Sequence, residues 1–282
     1  MHSKPKVFWI DAVGCNGCSH SFFNYGEIKE LLDKIELLYH PLLPSKEFKV
    51  QRSDILIIEG ALKTTYFPRL DFNLVDLIFE LIKLSKKVIV VGTCSVYGGI
   101  FGEGVLFNKK KEGKFFEFKE KMIALPGCPP HPEWIAYVIE MLIENKNILM
   151  DKENRPKEIY SYTSHMGCIR NEYFEWKIDV LEFGTKEGCL FYDQGCQGPF
   201  THSSCNRILW NEINSKPRAG TPCFGCTEKE FPKKNLFKTE TFMGIPANIP
   251  LGVGKRAYLT IAGIAKSLKN ERLSKRLINE DN

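Results

Sequence analysis

The chain has 282 residues, 43% of them hydrophobic and 26% charged, with a formal net charge of +5. That is the composition of a folded protein of one large domain or two ordinary ones, and it excludes a disordered or collagen-like chain. The longest uncharged runs, such as Val88 to Gly102, are interrupted by glycines and too short for a spanning helix; no transmembrane segment is expected, and the mild charge argues against a nucleic-acid partner.

Residues 1 to about 150 alternate between strand and helix patterns. Lys6 to Ala12 is a β-rich run, and from Phe22 to Lys34 apolar residues recur at helical spacing. Ile55 to Ile58 and Val88 to Val91 are short, wholly apolar runs, the pattern of parallel strands covered on both faces. Between them Leu70 to Lys86 predicts an amphipathic helix with Leu74, Leu77, Ile78, Leu81 and Ile82 on one side. Met122 to Leu125 is a further apolar run. A helix is predicted from Pro132 through Trp134, Tyr137, Val138, Met141 and Leu142, with proline suited to its first turn. The βαβα order predicts a doubly wound α/β domain. After about residue 160 the periodicity fades. Lys109 to Lys114 reads as a solvated loop, Gly252 to Lys255 as a glycine turn without the frame of a phosphate loop, and Arg256 to Arg272 as an amphipathic surface helix.

Cysteine is the unusual component, with ten in the chain. The N-terminus enters an apolar run directly, with no leader-like segment and no twin arginine, so a reducing, cytoplasmic location is expected. There, closely spaced cysteines are more often metal ligands than disulfides. Cys15 and Cys18 follow the first predicted strand, Cys94 follows Val88 to Val91, and Cys128 follows Met122 to Leu125. In an open α/β sheet, loops beyond the carboxyl ends of the strands form the ligand crevice, so these four thiols are expected to meet. Small buried hydrophobes are the competing reading for Cys94 or Cys128 taken alone. The other six, Cys168, Cys189, Cys196, Cys205, Cys223 and Cys226, lie where few regular elements are predicted, so bound metal is expected to organise that region. Zinc is the rival metal, but Cys223-x-x-Cys226 has no second close pair beside it.

The motifs CNGC, VGTCSVYGG, LPGCPPHPEW, HMGC, GCQGPFTHSSCN and AGTPCFGC, in this order, resemble those of the small, electron-transferring subunit of [NiFe] hydrogenases. The resemblance implies a flavodoxin-like doubly wound sheet over 1–155 carrying a proximal [4Fe–4S] cluster, then an irregular iron–sulfur domain over 156–282 with medial and distal clusters and a C-terminal helix. By that likeness Cys15, Cys18, Cys94 and Cys128 hold the proximal cluster. His165, Cys168, Cys189 and Cys196 hold a distal [4Fe–4S] cluster, and Cys205, Cys223 and Cys226 a medial [3Fe–4S] cluster. Every cysteine is then used. The Ni–Fe centre would lie on a partner large subunit, in a heterodimer or an assembly of heterodimers, and electrons would leave to an acceptor protein or ferredoxin-like carrier.

Three positions depart from patterns found within the family. His20 stands where many members carry a glutamate at the start of a proton path, which removes that carboxylate or makes the His20 imidazole a candidate proton relay in its place, and Gly17 and Pro129 stand where oxygen-tolerant members add cysteines. Glu59, at a strand end, is a candidate for orienting a ligand or moving protons. Phe191, Tyr192, Phe200, Trp210 and Phe224 interleave with the ligands and are expected to exclude water. The missing leader and C-terminal membrane helix make the likeness closest to cytoplasmic uptake- or sensor-type members. A regulatory hydrogen sensor and a carrier related to a complex I subunit remain as alternatives, the latter resembling only the first domain.

Overall fold

The computed structural model describes residues 3–43, 48–63, 66–67, 72–107, 115–180, 182–233, 236–242, 245–249 and 254–267. By their packing the residues divide into two units, Met1–Ile159 with Cys226–Lys229, and Tyr160–Gly225 with Glu230–Asn282. No helix among the described residues is long and apolar enough to cross a membrane.

The first unit is built on strands β1 (Lys6–Asp11), β2 (Glu36–Tyr39), β3 (Ser53–Glu59), β4 (Ser85–Val91) and β5 (Met122–Leu125). All pairs are parallel, in the order β2-β1-β3-β4-β5. This is the flavodoxin-like order, whose direction reverses between β1 and β3. Strand residues alternate between two covered faces. Phe8, Ile10, Leu56, Ile58, Val88 and Val90 share a core with helix α3 (Leu74–Leu84). Trp9, on the other face, packs its ring 5.1 Å from Phe22 of α1 (Gly17–Phe23).

Local chemistry sets the helix limits. The 22–34 helical pattern is split into α1 and α2 (Ile28–Asp33), because Asn24-Tyr25-Gly26 between them favours a turn. The 70–86 pattern begins as helix only at Leu74, where the Asn73 side chain accepts a hydrogen bond from Val75 N at 3.0 Å. All five apolar residues expected on its inner side are buried. Thr93–Tyr97 forms a short helix, α4; in α5 (Pro132–Ile143), His131 caps through Nδ1, and Ile135, Ala136 and Ile139 are buried as well as Trp134 and Val138, while Tyr137, Met141 and Leu142 are only half-buried. The 256–272 helix is present as Lys255–Ser267; residues 268–272, Gly252, Val253 and the 109–114 loop lie outside the described residues.

At the end of β2, His40 is wholly buried with ring centroids of Trp9 and Phe23 at 4.9 and 4.8 Å. Burial pushes its pKa down to about 4. The unfolded chain binds this proton below about pH 6.5 and the folded one does not, so stability is complete above that pH and falls as pH drops towards 4. We expect a loss of about 2–3 kcal/mol across that window, read as the excess acid slope of urea unfolding over His40→Phe. Identical slopes in the two proteins would refute it.

The described residues of the second unit have little regular structure: short 3₁₀ turns at Ser164–Gly167 and Gly198–Phe200, α6 (Asn171–Glu175), an antiparallel pair of two-residue strands at Thr241–Phe242 and Ile245–Pro246, and α7 (Lys255–Ser267). Its small core gathers Tyr173, Phe174, Cys189 and Phe191, with Ile178, Cys196 and Phe200 packed against them.

Candidate metal centres

Register brings the first set of thiols together. Asp11 pairs with Glu59, Glu59 with Val91 and Val91 with Leu125, so β1, β3, β4 and β5 end level with one another. Each opens into a loop carrying a site residue. Cys15, Cys18, Cys94 and Cys128 line one cavity there with Glu59, Thr93 and Pro129. Cys15 and Cys128 are exposed, while Cys18 and Cys94 lie deeper.

Backbone approaches the sulfurs closely. A Cβ on Gly92, whose φ is +87°, would stand 2.5 Å from Cys18 Sγ, and one on Gly99 would stand 2.8 Å from Cys94 Sγ. Only glycine fits at these two positions. Burial pushes Cys18 well above the ordinary thiol range, with the Glu59 charge adding to it, and raises Cys94 to about 11. The pair is therefore protonated at neutral pH unless a cation compensates the thiolates, which is the condition a metal core satisfies.

Glu59 is the anchor of this site. Asn16 at the start of α1 makes no side-chain cap, and the Glu59 carboxylate takes that role from across the sheet. It accepts from Cys18 N at 2.9 Å, Ser19 N at 3.0 Å, Ser19 Oγ at 2.5 Å and Trp9 Nε1 at 3.2 Å. Two of the first-turn N–H groups left open by any helix are thereby satisfied, and the Cys18 backbone is fixed to β3. This geometry favours the orienting role for Glu59. His20, one turn along α1, is exposed.

A second cavity is lined by His165, Cys168, Cys189 and Cys196 with Arg170, Phe191, Asn206 and Pro217. Backbone N–H groups point at three of its sulfurs: Arg170 N to Cys168 Sγ at 3.4 Å, Phe191 N to Cys189 Sγ at 3.4 Å and Cys223 N to Cys196 Sγ at 3.3 Å. Such donors favour thiolate. Burial outweighs them and, with the neighbouring thiols and carboxylates adding to it, raises Cys189 and Cys196 to about 12 each. His165 is buried with its ring 4.6 Å from that of Phe174, and burial holds its pKa below the ordinary value. It is thus a neutral imidazole at neutral pH, the form that binds metal.

The remaining three cysteines are divided between the units. Cys205 and Cys223 belong to the second and Cys226 to the first, where its carbonyl accepts a hydrogen bond from Thr93 Oγ1. None of the ten cysteines is joined in a disulfide, and among the described residues no three metal-binding side chains meet closely enough to share one ion. The two quartets ring cavities, as a multi-iron core requires, so these residues fit the cluster chemistry of soft thiolate donors.

Several contributors carry no advance signal in the sequence. Arg170 is 2% exposed and its guanidinium donates to the carbonyls of Pro217 at 2.6 Å, Gly188 at 2.7 Å, Glu187 at 3.0 Å and Thr185. Its partners are backbone groups, which no residue pattern announces. Thr93 also accepts from Gly127 N at 2.9 Å, joining the Cys94 and Cys128 loops. Of the aromatics, Phe191 is buried beside the second cavity, whereas Trp210 and Phe224 are half-buried.

Residues 160–238 match the family described as the C-terminal part of the NiFe/NiFeSe hydrogenase small subunit, and residues 15–142 match the NADH ubiquinone oxidoreductase 20 Kd subunit family. The periplasmic [NiFeSe] hydrogenase small subunit of Desulfomicrobium baculatum is 30% identical over 272 residues, covering 81% of this chain and 85% of that one. The hydrogenase-2 small chain of Escherichia coli K12 is 28% identical, covering 80% and 68%. Among solved structures, the [NiFeSe] hydrogenase of Desulfovibrio vulgaris Hildenborough superposes with a TM-score of 0.71 at 25% identity, covering 84% of this chain and 98% of that one. The likeness extends well beyond the segment shared with the 20 Kd subunit family.

Proposed function

The chain belongs to the small-subunit family of [NiFe] and [NiFeSe] hydrogenases, and from that premise we propose that its ten cysteines and His165 hold three iron–sulfur clusters in the ligand sets given above. In this family the small subunit relays electrons, while dihydrogen is split at the Ni–Fe site of the large subunit. The observation that carries the ligand reading is the convergence of Cys15, Cys18, Cys94 and Cys128 on one cavity at the level carboxyl ends of four strands. When bound, clusters at these sites would let single electrons pass between the Ni–Fe centre and an external acceptor protein or ferredoxin-like carrier.

This chain's residues hold and insulate that path. Glu59 fixes the Cys18 loop, the glycines admit the sulfurs, and Phe191 and Phe174 keep water from the second cavity. His165 supplies a neutral ligand, which leaves its site one negative charge poorer than four thiolates and raises its potential. Three clusters of these types need eleven ligands, one more than the cysteines supply, and His165 supplies the eleventh. Expected in the purified complex: His165→Ala slows acceptor-linked hydrogen oxidation by roughly tenfold or more, equivalent to at least about 1.4 kcal/mol in the barrier. Hydrogen–deuterium exchange at the Ni–Fe site, which needs no external acceptor, persists. Unchanged acceptor-linked turnover, or loss of both activities with all clusters intact, contradicts the assignment. We also place the complex in the cytoplasm, a reducing compartment in which closely spaced cysteines serve metal binding more often than disulfides. Recovery of the complex with periplasmic contents on cell fractionation would overturn that placement.

A further inference from the structure

Beside Cys205, two buried serines face each other across a short antiparallel bridge. Thr163 pairs with His202, with Ser164 N donating to Thr201 O at 2.7 Å and Ser203 N to Tyr162 O at 2.9 Å. That pairing brings Ser164 Oγ to 2.5 Å from Ser203 Oγ, both residues being at most 2% exposed. Ser203 Oγ lies 3.2 Å from Cys205 Sγ and Ser164 Oγ 3.6 Å from it. Asn206 Nδ2 fixes the Ser164 carbonyl at 2.6 Å, so both hydroxyls are held on a rigid backbone.

We propose that Ser203, supported by Ser164, is a positioning residue that sets the reduction potential of the medial centre through the Cys205 sulfur. The inference rests on the reading of Cys205 as a medial ligand. A thiolate bound to iron has no proton, so the sulfur accepts; Ser203, the nearer hydroxyl, donates to it, which leaves the Ser164 hydroxyl to donate to Ser203 Oγ. A donor that is itself hydrogen-bonded is polarised and donates more strongly. In the one-electron step, an electron derived from dihydrogen enters the centre and later leaves to the next one; no bond breaks and no proton moves. The added negative charge spreads onto the ligand sulfurs, where the hydroxyl dipole stabilises it. Hydrogen bonds to sulfur therefore raise the potential.

The test is an EPR-monitored redox titration of the complete heterodimer, following the three-iron signal. Ser203→Ala should favour the oxidised form by on the order of tenfold, a fall of about 59 mV for one electron, with iron content and signal intensity kept. Ser203→Thr, which keeps the hydroxyl, should titrate as the parent does. Ser164→Ala should shift the midpoint the same way by less, and it carries the test if Ser203→Ala loses iron. An unmoved midpoint with an intact three-iron signal overturns the proposal and leaves the ligand reading standing. Absence of any three-iron signal in the parent complex removes the ligand reading, and the proposal falls with it.

Discussion

Glu59→Ala is expected to destabilise the first unit by about 3–5 kcal/mol and to prevent stable loading of the proximal site. The carboxylate is 2% exposed and accepts four hydrogen bonds, from Trp9 Nε1, Cys18 N, Ser19 N and Ser19 Oγ. Its removal leaves those donors buried without an acceptor, at about 1–3 kcal/mol for each that water cannot reach. It also frees the first turn of α1, which has no side-chain cap of its own, so Cys18 is no longer fixed relative to the Cys94 and Cys128 loops. Glu59→Gln separates the two effects. Three of the four bonds fall on Oε2, and an amide oxygen placed there keeps them while the amide nitrogen faces Cys18 N. The glutamine variant should therefore lie between parent and alanine in stability, with the proximal EPR signal reduced rather than lost. The idea fails if Glu59→Ala melts within about 1 kcal/mol of the parent and retains the signal.

Stripping iron and sulfide should unfold the second unit while the parallel sheet remains. Fixing each backbone residue opposes folding by about 1–2 kcal/mol. Against this, the described residues of the second unit bury few apolar side chains, the core cluster of Tyr173, Phe174, Cys189 and Phe191 together with Tyr160, Val180, Leu190, Cys223 and Tyr258, at about 1.5–3 kcal/mol for each large side chain. Two of the residues in or against that core, Cys189 and Cys196, are proposed ligands, so the metal and the core organise the same segment. Arg170 ties four carbonyls of the same segment and cannot hold it alone. Structural metal binding of this kind contributes on the order of 10 kcal/mol to folding. The expected result is fast amide exchange throughout residues 160–225 of the iron-free chain, with slow exchange retained in β1, β3 and β4. Cooperative melting of residues 160–225 in an iron-free chain would contradict this account.

Much of the first unit was legible because its signals are local. The runs Ile55 to Ile58 and Val88 to Val91 are apolar at every position, which marks strands covered on both faces, and the cysteines follow them directly. Helix limits were less legible. Asn73 competes for the backbone ahead of Leu74, and Asn24-Tyr25-Gly26 interrupts an otherwise helical spacing. The second unit shows its ligands as motifs but not its supports. Arg170 and Ser203, like Thr93 in the first unit, act on carbonyls, amides or sulfurs that only the folded chain brings near them, so their roles leave no periodic trace. Glu59 stood between the two cases. Its strand-end position was visible, but its four donors come from β1 and α1, elements far from it in sequence.

The central claim is that ten cysteines and one histidine of this chain hold clusters of four, four and three irons. Metal analysis of the small subunit within the anaerobically purified heterodimer, combined with EPR of the oxidised complex, tests it most directly. About eleven irons on this subunit and a three-iron signal from the oxidised medial centre are expected. About twelve irons with no three-iron signal, or zinc at the Cys223 and Cys226 thiols, would contradict it.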